Sequence, residues 1–334
     1  MLSQEFKMLL GCLSGYGRGY GSHVEHVRSA DETRTLFYYY RDRYALQLLG
    51  FALANHHGLA LSELKSSRYG RLLEKRRVKA LLAQSGKGRI TEETLALFDS
   101  DADTQCYALT IGRWGSRRWR DKSWQQTSRR GINLVLQVNF TGRHEQLLNR
   151  HMRPDKGFDL FDYHCHPVSR CGRRTLGWAR MDIDLDGGEV LIEEIQNDWL
   201  REAAYYRSLV DHPRWDDKRW RDRGIKGGGQ GLMNYFDQAL KPILSVWDET
   251  ILSAALWFIR CELGLRKIFY HTPESGTLLK NMRHSAPPVS VYSDLPRRFC
   301  FEETRELPVI LKEDQRASHQ WQRSPKTRMY ALPL

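Results

Sequence analysis

Acidic side chains are scarce in this chain of 334 residues: 40 Asp and Glu face 52 Lys and Arg, a formal charge of +12. That imbalance favours encounter with nucleic acid, acidic protein surfaces or anionic cofactors, and it leaves the fold open. Cysteine is also sparse, at six residues with no Cys-x-x-Cys pair. This excludes a secreted disulfide framework and points to a reducing cytoplasm. No window approaches about 18 uninterrupted apolar residues, so no membrane span is expected. The apolar run Met1–Leu13 contains Lys7 and lacks a small-residue cleavage site, so no signal peptide is expected either. What is abundant is aromatic: ten Trp and fifteen Tyr argue against a disordered chain.

Residues 1–104 read as a helical N-terminal module. Leu36, Tyr40, Tyr44, Leu48 and Phe51 recur at three-and-four spacing, and a helix over 60–84 has a basic side from Lys65 to Lys79. The stretch Gly15–Gly21 alternates glycine with other residues and reads as a surface loop. From Cys106 the period changes to that of strands, in Tyr107–Ile111 and Ile132–Phe140. Residues 105–311 are therefore expected to form an α/β domain of α+β type, a mixed twisted sheet with flanking helices. Residues 312–334 are polar and expected to form a C-terminal tail.

The clearest local signal is a β-hairpin, with strands 176–185 and 189–197 flanking Asp186-Gly187-Gly188. A two-residue turn sets Leu185 opposite Val190, Ile183 opposite Ile192 and Met181 opposite Glu194. In that register Glu194 and Gln196 extend an apolar face, and Asp182 and Asp184 point to the other. A carboxylate and an amide on a buried face must find partners, which makes Glu194 and Gln196 site candidates.

Two family resemblances bear on this segment. The order of strand 190–197, the Gly-rich run Lys226–Gly231, helices, strand 267–271 and then Tyr292 with Arg298–Phe301 resembles that of GNAT acyltransferases. The resemblance covers residues 176–310, with Lys226 where the family has Gln or Arg and Cys300 where it has Gly. It implies that acetyl-CoA or another acyl-CoA donates to an amine-bearing substrate, with Lys226, Gly229 and Gly231 at the cofactor phosphates. Glu194 would then be the base and Tyr292 the acid. Alternatively, Asp182 or Asp184 followed by Glu194-Ile195-Gln196 resembles the metal-binding hairpin of PD-(D/E)XK nucleases, implying Mg²⁺-dependent phosphodiester cleavage. There Gln196 replaces the usual Lys. Glu194–Trp199 is also similar to an EIQxDW motif of poorly characterised bacterial and phage proteins.

A third class is a non-enzymatic nucleic-acid-binding protein. Three Trp interleave with basic residues in 113–124, and 214–223 is a second basic, Trp-bearing stretch. Thr127–Asn133 offers hydroxyls and Arg129 to a phosphate, or is a turn into the sheet. His164, His166 and Cys171 with His151 approach a metal set, but no second ligand pair has zinc-finger spacing and no metal is assigned. His166 and His271 read first as hydrogen-bonded structural residues. Acyl transfer leads these readings.

Overall fold

The computed structural model describes residues 24–28, 33–54, 56, 58–85, 88–97, 101–115, 126–163, 165–168, 173–280, 282 and 287–334. The chain is a mixed α/β structure built on a nine-stranded sheet in the order β1-β2-β5-β6-β7-β8-β9-β11-β10. The strands are β1 Val24–Arg28, β2 Thr33–Tyr39, β5 Gln105–Trp114, β6 Asn133–Phe140, β7 Thr175–Asp184, β8 Glu189–Gln196, β9 Lys267–His271, β10 Glu302–Thr304 and β11 Met329–Pro333. The short pair β3 Leu59–Ala60 and β4 Arg89–Ile90 stands apart from this sheet. Every neighbour in the large sheet is antiparallel except β8 and β9, which run parallel. A parallel neighbour needs a crossover, and the helices between Trp199 and Glu262 supply it. Among the described residues, no single helix is long and apolar enough to cross a membrane.

The central strands are buried on both faces. All eight residues of β6 are buried, which matches its near-continuous apolar sequence. Alternate residues sort into two cores. Met181, Ile183, Val190, Ile192, Ile268 and Tyr270 join the main core. Leu191, Phe269 and Met329 turn to a smaller core with Leu311 and Trp321. The helix Trp247–Trp257 packs on β6, β7 and β8. It approaches so closely that a Cβ at Gly177 would lie 2.5 Å from Ile251. The opposite face is covered by the helices Pro273–Leu279, Val309–Lys312 and Gln315–Gln322.

Several expectations change here. Residues 33–39 form a strand rather than the start of a helix; the helix begins only at Arg43, after Asp42 takes a left-handed φ of 61°. The helix expected over 60–84 is broken into Leu61–Ser66, a tight 3₁₀ stretch Arg68–Glu74 and Arg76–Ser85. The segment after Lys312, expected to be a polar tail, contributes a helix and then β11, which lies between β9 and β10. Tyr292 belongs to a π-helical turn, Ser290–Asp294, and Arg298, where the resemblance implies a strand, ends the helix Leu295–Arg298. Cys300, standing where glycine was expected, takes a left-handed φ of 63° and is buried.

The hairpin register also differs. Its strands close at Asp184↔Glu189 around the loop Leu185–Gly188, where Asp184 Oδ1 accepts a hydrogen bond from the Gly187 N–H at 2.9 Å. Met181 therefore faces Ile192 instead of Glu194. The register then shifts between Arg180 and Met181, so that Arg180 faces Glu194. This leaves Glu193 as the extra residue of a β-bulge on β8.

Candidate active site

The bulge determines which side chains meet. Without it, Glu193 and Glu194 would point to opposite faces. With it, both turn to the second face, the side of Arg180 and Asp182 on β7 and of His271 on β9. Asp182 and Glu194 thus share a face, contrary to the register expected from the sequence. The parallel pairing of β8 with β9 ends in the same place, running only from Glu189↔Lys267 to Ile192↔Tyr270.

Around this point four charged groups are buried together. Glu193, Arg180 and Lys280 are fully enclosed, and Glu194 keeps 15% of its side chain exposed. Lys280 follows the helix Pro273–Leu279, whose start is fixed by a Thr272–Ser275 capping box and Pro273 in the first turn. Its ammonium donates to the Glu193 carbonyl at 3.0 Å and to Glu194 Oε2 at 3.3 Å, and stands 3.0 Å from the Tyr292 hydroxyl. Tyr292 Oη also donates to the Glu193 carbonyl at 3.3 Å. Arg180 Nη2 donates to Glu194 Oε2 and to the Gln126 carbonyl, both at 2.5 Å. The guanidinium lies 5.5 Å from the centre of the Trp114 ring and 6.0 Å from that of Trp178. Among the described residues its Nε and Nη1, both buried, have no hydrogen-bond partner.

Glu193 anchors a second chain of contacts. Its carboxylate accepts from the Ser128 N–H and Ser128 Oγ, each at 2.9 Å. His271 Nε2 lies 2.9 Å from Ser128 Oγ and 3.3 Å from Glu193 Oε2, while Nδ1 lies 3.1 Å from Ser275 Oγ. The arrangement differs from a nucleophilic triad, because the carboxylate binds the serine and not the far side of the imidazole. Arg129 forks onto Asp182 at 2.5 and 3.0 Å, and Arg316 Nη2 donates to the Ser128 carbonyl at 2.6 Å. The segment from Gln126 to Arg129 is therefore held by five residues, Arg180, Asp182, Glu193, His271 and Arg316.

Electrostatics follow from this packing. Burial opposes ionisation of Glu193, but the His271 hydrogen bond and the Lys280 and Arg180 cations outweigh it and hold the carboxyl below its usual range. Burial likewise opposes a charged Glu194, and Lys280 and Arg180 again prevail. Burial lowers the His271 pKa despite Glu193, and it lowers that of Lys280 despite Glu194. Burial and the adjacent Glu194 raise the Tyr292 pKa, so the phenol keeps its proton. The cluster thus holds two carboxylates, two cations, a neutral imidazole and a phenol.

Farther along the same face, Gln196 enters a different group. Its amide donates to Asp198 Oδ1 at 2.8 Å, and Asp198 Oδ2 lies 2.7 Å from His166 Nδ1. Arg201 Nη2 donates to Asp198 Oδ1 at 2.8 Å.

The sequence candidates thus divide. Glu194 and Tyr292 meet through Lys280, and Gln196 lies beyond them. Lys226 pairs at the surface with Asp155 at 2.5 Å. Gly229 packs against Val210 and Trp220, and a Cβ at Gly231 would lie 2.4 Å from the His151 carbonyl. Three amides of the Gly run are already spent, since Gly227, Gly228 and Gly231 donate to Met152, Ile225 and Gly227 carbonyls. The run therefore serves close helix packing and offers a pyrophosphate little.

Asp182 and Glu194 are each held by an arginine, and among the described residues no group of three His, Cys, Asp or Glu is placed to hold a metal. His164, Cys171, Gly15–Gly21 and residues 116–124 lie outside the described residues. In the 214–223 stretch, Trp220 is buried and Arg219 covers the Trp215 ring. Arg180 and Lys280 were missed as site residues, and Ser128 was weighed only as one of the hydroxyls of Thr127–Asn133. The only cue was a lysine closing the otherwise apolar Leu278-Leu279-Lys280. Comparison with protein-family models, curated proteins and solved structures returns no match.

Proposed function

We propose that the chain is a GNAT-like acyltransferase that moves an acyl group from coenzyme A to an amine. One observation carries the reading: β8 and β9 run parallel, pair over only four residues, and part where Glu194, Lys280, Tyr292 and Arg180 converge. Beyond Ile192↔Tyr270 the Glu193 carbonyl is taken by Lys280 and Tyr292, so side chains replace the strand pairing there. The unpartnered Nε and Nη1 of Arg180 suit a carbonyl oxygen that gains negative charge during acyl transfer. Tyr292, kept as a phenol, suits proton delivery to a leaving thiolate. Glu194 is bound by two cations and is a poor base, so its part is to orient Lys280 and Arg180. The coenzyme supplies the activated acyl group. Its phosphates are assigned no residues, because the Gly run is occupied by packing.

Calorimetry with acetyl-CoA tests this reading. Saturable binding is expected, weakened at least tenfold in Arg180→Lys. No heat at millimolar acetyl-CoA with the folded wild-type protein overturns it.

A further inference from the structure

Acyl transfer to an amine needs a base, and Glu194 is already committed to two cations. The same face carries an imidazole set up for that work. His166 Nδ1 is 2.7 Å from Asp198 Oδ2 and 3.1 Å from Gln196 Nε2, which itself donates to Asp198 Oδ1 at 2.8 Å; Asp198 is buried and also held by Arg201. A buried carboxylate on Nδ1 holds the proton there and leaves Nε2 as the basic nitrogen. No hydrogen bond engages Nε2 among the described residues, and the His166 side chain retains 15% exposure. Exposed Tyr163 stacks obliquely beside the ring at 4.6 Å, and the Arg201 guanidinium lies 5.8 Å from the Tyr163 ring centre. Inward, the edge of Trp178 meets the His166 ring at 5.8 Å, and the same indole faces Arg180. His166 thus stands between solvent and the buried cluster, on the face shared with Glu194.

We infer that His166, oriented by Asp198, is the general base that takes the proton of the incoming amine; this rests on the acyl-transfer reading. The acceptor ammonium first releases one proton to solvent, and as the neutral amine attacks the acyl carbon Nε2 accepts the second proton from its nitrogen. The C–N bond forms and the C–S bond breaks. The thiolate takes the Tyr292 proton, and the phenol is replenished through solvent by the proton held on His166. Asp198 is a positioning residue, and His166 is the group that touches the reacting amine.

Two measurements separate failure of this inference from failure of acyl transfer itself. Long-range ¹⁵N–¹H correlation spectra of the wild-type protein are expected to show neutral His166 as the Nδ1–H tautomer, and Asp198→Asn to lose that preference. This readout needs no substrate, and an Nε2–H tautomer in the wild type overturns the inference. Acetyl transfer to a panel of polyamines and lysine peptides is the second measurement, with His166→Gln expected to lower kcat about 10²-fold or more. Acetyl-CoA affinity by calorimetry should stay within twofold of wild type. Undiminished turnover in His166→Gln overturns the role of His166 and leaves acyl transfer standing. Absence of acetyl-CoA binding removes the reaction, and with it the role, whatever the tautomer.

Discussion

Replacing Lys280 with methionine removes one of two cations from a fully buried cluster while keeping a side chain of similar shape. Lys280 lies 3.3 Å from Glu194 Oε2 and 3.0 Å from the Glu193 carbonyl, with no exposure of its own. The variant leaves two carboxylates facing Arg180 alone. Breaking a buried ion pair from one side costs about 3–5 kcal/mol, because the surviving charge stays desolvated. Glu194→Gln alone leaves two cations facing Glu193 and is expected to cost a similar amount. In the double variant, Arg180 again balances Glu193, so its cost should fall short of the sum by at least about 1.5 kcal/mol. Urea unfolding at pH 7, followed by tryptophan fluorescence, measures all four corners of the cycle. Additivity within about 0.5 kcal/mol would mean that the two residues are independent, and the account of a charge-balanced cluster would be wrong.

Two further outcomes follow from the structure. Glu249 is almost fully buried; burial and nearby Asp42 push its pKa up to about 7, against the opposing Asp42 N–H and Arg298. A folded pKa above the unfolded value of 4.5 gives stability that is present below pH 4.5 and is lost as pH rises to about 7, at about 1.4 kcal/mol per unit. Glu249→Gln should therefore stabilise the protein at pH 8 by up to about 3 kcal/mol and do little at pH 4.5; equal effects at both pH values in urea titrations would refute the assignment. Gly231→Ala drives a Cβ to 2.4 Å from the His151 carbonyl and should cost about 1–3 kcal/mol, read as a lower Tm. An unchanged Tm with lost acetyl-CoA affinity would instead restore the Gly run as a phosphate site.

The strands flanking the site were legible because their signals are local. β6, β7, β8 and β9 are alternating or continuous apolar runs bounded by turn residues, and each forms close to its expected limits. Register was not legible. It depends on whether Asp184 ends a strand or caps a turn, and on one extra residue at Glu193, and neither leaves a periodic trace. The strand at 33–39 was hidden for a related reason. Leu36 and Tyr40 fit a helical spacing, but alternate β-branched and aromatic residues fit a pleat equally well, and sheet pairing with β5 decides between them. The site partners were hidden by distance along the chain: Ser128 reaches Glu193 across 65 positions and Lys280 across 87. Glu194 emerged as a carboxylate on an expected buried face, though in another register, and Tyr292 only through the resemblance to the GNAT order.

The contrast between the two faces of the same strands bears on why the cluster exists. On one face Met181, Ile183, Val190 and Ile192 belong to the main hydrophobic core. On the other, Leu191 and Phe269 show that apolar packing is equally available to β8 and β9. Between these cores the chain buries Arg180, Lys280, Glu193 and most of Glu194, and leaves two guanidinium nitrogens without a partner among the described residues. Desolvating such groups costs several kcal/mol per ion, and well-packed apolar side chains of similar volume are often as stable or more so. Stability alone therefore gives no reason for this composition. A bulge that turns two consecutive carboxylates to one face, at the point where two parallel strands part, has a physical use if a polar substrate completes the unpaired donors. That reasoning gives the unfilled valences of Arg180 more weight than the number of charges around it.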